Sequence, residues 1–183
     1  ALNLNYQGKC NESISRLNSL IDSNKYDKKD LLNPLLVLAM IHFQQNDLND
    51  AKDILKQLIK TDNWYEKEMG AGWLFNKKCI EILLHIDLEN IDLVDSKIRN
   101  LLFKYKDYLK QNTSFNVLPF LKLVKQYYRD PDIVKSEKFI NQVNTKIVFK
   151  PKEEEDIFLM SFYAWLKAKM EKRSVYEITL ELV

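Results

Sequence analysis

The sequence predicts an all-α fold, and three observations carry that prediction. Glycine (3) and proline (4) are scarce in 183 residues, too few for the many turns of a β-rich domain. Leu, Lys, Glu, Gln and Ala, all good helix formers, dominate most windows. Apolar residues recur at spacings of three and four along most of the chain. The length suits one domain with a real core. A single helical domain over 1–183 is therefore expected, cut from a longer chain because it opens at Ala1 rather than Met.

The elements follow in order. After a short segment, Leu2 to Tyr6, and Gly8, the stripe Ile14, Leu17, Leu20, Ile21 predicts a helix with Asn11 as its N-cap. Ser23-Asn24-Lys25 makes a turn. Pro34 then falls in the first turn of the next helix, where its missing N–H costs nothing. Leu35, Leu38, Ile41 and His42 form its stripe, with Phe43 beside it. Asn46-Asp47 breaks the helix, and Ala51, Ile54, Leu55, Leu58 and Ile59 mark a second, otherwise polar one.

Trp64 to Ile86 reads as one long helix with Trp73, Leu74, Ile80, Leu83 and Leu84 inward, and Gly70 and Gly72 near its start. Leu93 to Leu109 is its partner, with Leu93, Val94, Ile98, Leu101, Leu102 and Tyr105 periodic. Asn112-Thr113-Ser114 is a polar stop. Phe115 to Tyr128 follows, with Pro119 in its first turn or so, then an Asp130-Pro131-Asp132 turn and a helix from Ile133 to Thr145. Ile147-Val148-Phe149 reads as linker. Pro151 opens a helix whose first turn, Glu153 to Asp156, offsets the positive end of the helix dipole. That helix runs through Phe158, Phe162, Trp165 and Met170. Val175 to Leu182 is a last short helix, with a composition that also permits a strand.

Composition excludes several functions. A net charge of +2, with acidic and basic residues interspersed, gives little push toward nucleic acid or anionic lipid. No apolar run approaches the roughly 18 residues that span a bilayer, and the N-terminus shows no basic-then-apolar secretory pattern. Cys10 and Cys79 form no CxxC pair and read as two free thiols, which tilts the location toward the reducing cytoplasm.

The helices pair into units. A compact residue early in each second helix falls at Ser13, Ala51, Val94 (or Ser96) and Ser136, at intervals of about 40 residues. Apolar residues follow it by four and seven: Leu17 and Leu20, Leu55 and Leu58, Ile98 and Leu101, Ile140 and Val143. Over Leu35 to Asn63 the offsets of Leu38, Ala39, Phe43, Asn46, Ala51, Leu55 and Leu58 resemble a tetratricopeptide (TPR) repeat. Asn46 stands where the family usually has Gly, His42 replaces an aromatic, and Asn63 stands at the closing Pro. The other pairs match in pattern rather than identity.

The resemblance implies a right-handed superhelix of about five antiparallel hairpins, the first incomplete, whose first helices line a concave peptide-binding groove. On that transfer the partner-binding candidates are Leu36, Met40, Phe43 and Gln44, and then Leu118, Leu121, Lys125, Tyr128 and Arg129. Leu36 and Met40 stand where family members that clamp a peptide carboxylate use Asn and Lys, which disfavours such a clamp. The implied function is a non-catalytic scaffold that binds a protein or peptide segment. Two alternatives stay open. One is an RNA-binding repeat using Lys104, Lys106, Lys110, Lys122, Lys125 and Arg129 with the tyrosines among them. The other is an accessory domain of an enzyme encoded elsewhere in the chain.

No catalytic, cofactor or metal residues are assigned. No GxGxxG, P-loop, HExxH or GxSxG pattern occurs. His42 and His85 each lack a Cys, Asp or second His at ligand spacing on their own helix, apart from Asp87 two residues after His85. The aromatic clusters at Trp64, Tyr65, Trp73 and Phe75 and at Phe158, Phe162, Tyr163 and Trp165 are expected in the core, with some spill onto exposed faces.

Overall fold

A computed structural model describes residues 1–105, 117–147 and 157–182. The stop at Asn112 to Ser114, the linker at Val148 and Phe149, the acidic turn at Glu153 to Asp156, and Lys106, Tyr108 and Lys110 lie outside the described residues.

The chain is all-helical, with no strand among the described residues. The helices are α1 (Leu2–Tyr6), α2 (Cys10–Ile21), α3 (Leu32–Gln44), α4 (Leu48–Lys56), α5 (Asp62–Met69), α6 (Ala71–Asp87) and α7 (Ile91–Lys104). Then come α8 (Val117–Arg129), a 3-10 turn (Pro131–Lys135), α9 (Glu137–Lys146), α10 (Ile157–Glu171) and α11 (Val175–Glu181). Neighbours pack in sequence order, α1 on α2, α3 on α4, α6 on α7 and α10 on α11.

Local chemistry explains most boundaries and corrects several. The long helix expected over Trp64 to Ile86 is two helices. Gly70 separates them at φ 86°, a left-handed conformation that strains any residue with a Cβ. The Thr61 hydroxyl accepts from the Trp64 N–H and starts α5. Lys9 rather than Asn11 precedes α2, which begins at Cys10. Ser136 is not an early helical residue but the N-cap of α9, accepting from Phe139 N–H, so the stretch from Ile133 is a 3-10 turn followed by a helix. At the C-terminal end, Ser174 and Glu177 form a capping box. It satisfies two backbone N–H groups and makes Val175–Glu181 a helix rather than a strand.

The hairpin turns are alike. Asn46 (φ 65°) follows α3 and Glu89 (φ 58°) follows α6, both left-handed. In the first turn Asp47 N–H donates to His42 C=O at 2.9 Å, and in the second Asn90 N–H donates to His85 C=O at 2.8 Å. Each bond closes the helix end and spends a carbonyl that would otherwise lack a partner. Asn46 takes the left-handed conformation that asparagine tolerates.

Two helices are buried on nearly every side. In α3, Leu35, Leu36, Leu38, Ala39, Met40, Ile41 and Phe43 are all buried, because α2, α4, α6, α10 and α11 surround it. In α10, Met160, Phe162, Trp165 and Leu166 are buried. A helix apolar all round belongs in a core, not on a surface. By contrast Ile59 and Leu93, both expected inward, are 82% and 48% exposed.

The last hairpin returns to the first. Tyr176 OH donates to Asn5 C=O at 2.7 Å, joining α11 to α1. Gln44 Nε2 donates to Ser161 Oγ at 2.6 Å, and Asn5 Nδ2 donates to Gln44 Oε1 at 2.9 Å. This buried polar chain ties α1, α3 and α10 together, and a buried amide paired on both sides fixes one register. Phe162 stacks on Phe120 at 5.7 Å, and Trp165 packs edge-on against Tyr127 at 5.3 Å. Trp165 Nε1 also donates to Asp87 Oδ2 at 2.9 Å, and Lys169 pairs with the same carboxylate at 2.8 Å. The face on which α3, α6 and α8 meet α10 is the inner face below.

Candidate functional site

The residues expected to line a groove divide into two groups. Leu36, Met40, Phe43 and Gln44 are at most 1% exposed. They are covered in cis, Gln44 directly by Ser161 of α10. None of the four presents surface in this fold, so their expected role as partner contacts is corrected to core packing. On α8, Leu121 and Tyr128 are also buried and Leu118 is half-buried. Lys125 and Arg129 do reach solvent, but both turn to Asp95 of α7, at 3.9 and 3.5 Å. The nearness of Tyr128, then the charges of Arg129 and Lys125, lower the Asp95 carboxyl from its ordinary range. These contacts dock α8 on α7.

The described tyrosines of the basic region offer little stacking surface. Tyr105 and Tyr128 are buried, and Tyr127 packs against Trp165.

A different set of residues builds a charged cleft. It lies between α4, α5 and α7, with α6 as its floor. The face carrying it is the outer face below. Glu81 sits at its centre. Its carboxylate pairs with Lys77 one turn earlier on α6, with Lys97 of α7 at 3.2 Å, and with Lys78 at 3.9 Å. Burial pushes the Glu81 carboxyl up. Lys77, Lys97 and Lys78 outweigh that and leave it below its ordinary value. Lys77 is itself buried, with its ammonium 5.7 Å from the Tyr65 ring. Tyr65 is held by Trp64 at 5.3 Å, by Trp73 at 5.1 Å and by a hydrogen bond from Lys60 N–H at 3.2 Å. The aromatic cluster of α5 and α6 thus positions a lysine.

Two cavities flank Glu81. One, of about 330 Å³, is lined by Lys52, Lys56, Lys77 and Lys97 with Glu81 the single carboxylate. The other, of about 180 Å³, is lined by Lys78, Lys97 and Lys104 with Asp62 the single carboxylate. Lys78 pairs with Asp62 at 2.8 Å and Lys104 with Glu66 at 3.1 Å. His85 lies at the edge: burial first, then Lys97 and, more weakly, Lys52, depress its pKa from 6.5 against Glu81. A neutral imidazole there is what a positive field favours.

The sequence reading did not single out Lys52, Lys77, Lys78, Lys97 or Glu81. The spacing of Lys77, Lys78 and Glu81 places all three on one stretch of helix surface, and that signal was present. The approach of Lys97 from another helix has no local signature.

His42 does acquire carboxylate neighbours, from the next helix. Its Nδ1 lies 3.4 Å from Asp47 and 4.0 Å from Asp50, and the three ligand atoms fall within 4.8 Å of one another. Both carboxylates occupy the first turn of α4, where the helix dipole alone favours them. The second hairpin repeats the contact with neutral groups, His85 Nδ1 and Asn90 Nδ2 at 3.4 Å. The repeated pairing fits a turn device better than a metal site. Burial raises the thiol pKa of Cys79 well above 9.0 and that of Cys10 more modestly, with Asp47 adding to the latter, so neither thiol is an activated nucleophile.

No protein-family model, no curated protein and no solved structure matches the chain significantly. No helix among the described residues is long and apolar enough to cross a membrane.

Proposed function

We propose that the chain is a non-catalytic interaction module of degenerate TPR-like hairpins, and that it engages a protein segment on its outer face. One observation carries this reading: α10 buries Leu36, Met40, Phe43 and Gln44, and the cavity of about 500 Å³ farther along it, at Asp87, Glu89, Tyr127 and Lys169, carries mixed charge, while the cleft over α6 is rich in lysine. Leu36 and Met40 serve stability, each worth about 1.5–3 kcal/mol when buried. Phe103, 88% exposed on α7 next to Lys104, adds an apolar anchor of the kind found at interfaces. The buried free thiols fit a reducing cytoplasm. The burial of Tyr105 and Tyr128 weighs against the RNA alternative.

Photocrosslinking tests the reading. A photoreactive residue at Asn100, on the rim of the outer cleft, should yield a partner adduct in cell extract. The same residue at Tyr163 on α10 should yield none. Adducts at position 163 alone would return the partner to the other side of the fold.

A further inference from the structure

The lysines of the outer cleft outnumber its carboxylates: Lys56 pairs with Asp53, Lys78 with Asp62 and Lys104 with Glu66, while Lys77 and Lys97 share Glu81. An ammonium has three donors and a carboxylate two oxygens. Glu81 already serves Lys77, Lys78 and Lys97. Lys52 faces the larger cavity with no ion-pair partner among the described residues. The rims are aliphatic as well as charged: Leu55, Leu84, Ile82 and Leu101 line the same cavities and can pack against the stems of incoming side chains.

We propose that this cleft binds an acidic segment of a partner protein, with Lys52 and Lys97 taking carboxylates in the larger cavity and Lys78 and Lys104 in the smaller. This assignment rests on the interaction-module reading above and names the partner's chemistry. Glu81 shows the mode of contact, since it is a carboxylate held among lysines from two helices. The dimensions favour a segment over a small anion. Lys97 and Lys104 are two turns apart on α7, about 10 Å, which an extended chain covers in about three residues. A compact phosphate would instead be expected to meet backbone N–H groups or the fork of an arginine. No arginine lines these cavities.

The test uses fluorescein-labelled hexaglutamate and the whole chain, read by anisotropy at low salt, where exposed charges are least screened. Saturable binding is expected, weakened about tenfold by the pair Lys52→Glu and Lys97→Gln, which is about 1.4 kcal/mol. Lys52→Glu alone, at a half-buried site without an ion pair, should keep the fold and still weaken binding measurably. Lys138→Glu, an exposed lysine on α9, should change it less than about twofold. Binding that responds equally to Lys138→Glu, or no saturable binding, overturns the proposal. Hexaglutamate no tighter than free glutamate or inorganic phosphate overturns the assignment to a segment. Adducts at Asn100 that are insensitive to Lys52 and Lys97 would remove the charge assignment alone. Absence of adducts there would remove the module reading itself.

Discussion

The inner and outer faces of this molecule share α6 and little else. On the inner side α6 ends at Asp87, whose carboxylate holds the Trp165 indole and the Lys169 ammonium. On the outer side, less than two turns earlier, Glu81 holds three lysines beside two cavities. Both are carboxylates with cations close by. The first lies against aromatic rings at the edge of a cavity of mixed charge, the second among lysines from two helices. The difference teaches that a helical-repeat pattern does not say which face is left for a partner. Here the C-terminal hairpin takes the inner face, and the face that a concave-groove analogy neglects keeps unsatisfied charge.

The sharpest way to break that contrast is to damage each side in turn. Trp165→Ala removes a fully buried indole, its hydrogen bond to Asp87 and its ring contact with Tyr127. A loss of about 3–5 kcal/mol is expected by urea denaturation. Lys52→Glu on the outer side should stay within about 0.5 kcal/mol. Comparable losses from the two would mean that the cleft belongs to the core.

Acid should act in part through the outer side. His85 in the folded chain lies below its ordinary 6.5, so the unfolded chain takes up the proton first and stability falls as pH drops below 6.5. Glu81 lies below its ordinary 4.5, so its contribution is present above that value and is lost as pH falls through its lower folded value. Denaturant midpoints measured from pH 7.5 to 4 should therefore decline in two stages. His85→Asn should remove the upper stage and leave the lower. A wild-type midpoint that is flat between pH 7 and 5 would contradict the depressed titration of half-buried His85.

The two hairpin turns allow the finest comparison. Glu89 holds φ 58° with a side chain poorly suited to it, while Asn46 holds φ 65° as asparagine tolerates. Glu89→Gly should stabilise by about 0.5–1 kcal/mol. Asn46→Gly should change stability by a few tenths at most. Thermal melts of the two variants check the ordering.

Much of the fold was legible locally. The apolar stripes of α3 and α4 and the left-handed break at Asn46 follow from period and turn chemistry, and Ala51, Leu55 and Leu58 are buried as their spacing implies. Scarce breakers made the all-α class readable. Gly70 was visible, but its conformation depends on α5 and α6 packing as a pair, so a continuous period hid the break. The role of α10 was half visible. Phe158, Phe162, Tyr163 and Trp165 cover several sides of one helix, which is the mark of burial all round. What it packs against was not, because the contact of Ser161 with Gln44 joins residues far apart in sequence and leaves no periodic trace. The candidate site was the least legible part. Lysines on a helix read as solvated face, and only the third dimension brings Lys97 to Glu81.

Native-state hydrogen exchange tests the central claim most directly. If α10 is a fixed part of the core, amides of Met40 to Gln44 and of Phe162 to Leu166 exchange only through global unfolding, with one shared free energy and one shared denaturant dependence. Exchange of both segments through an opening several kcal/mol below the global value, with Ile80 to Leu84 of α6 still protected, would contradict it. The C-terminal hairpin would then be a detachable cover, and the inner face would again be available to a partner.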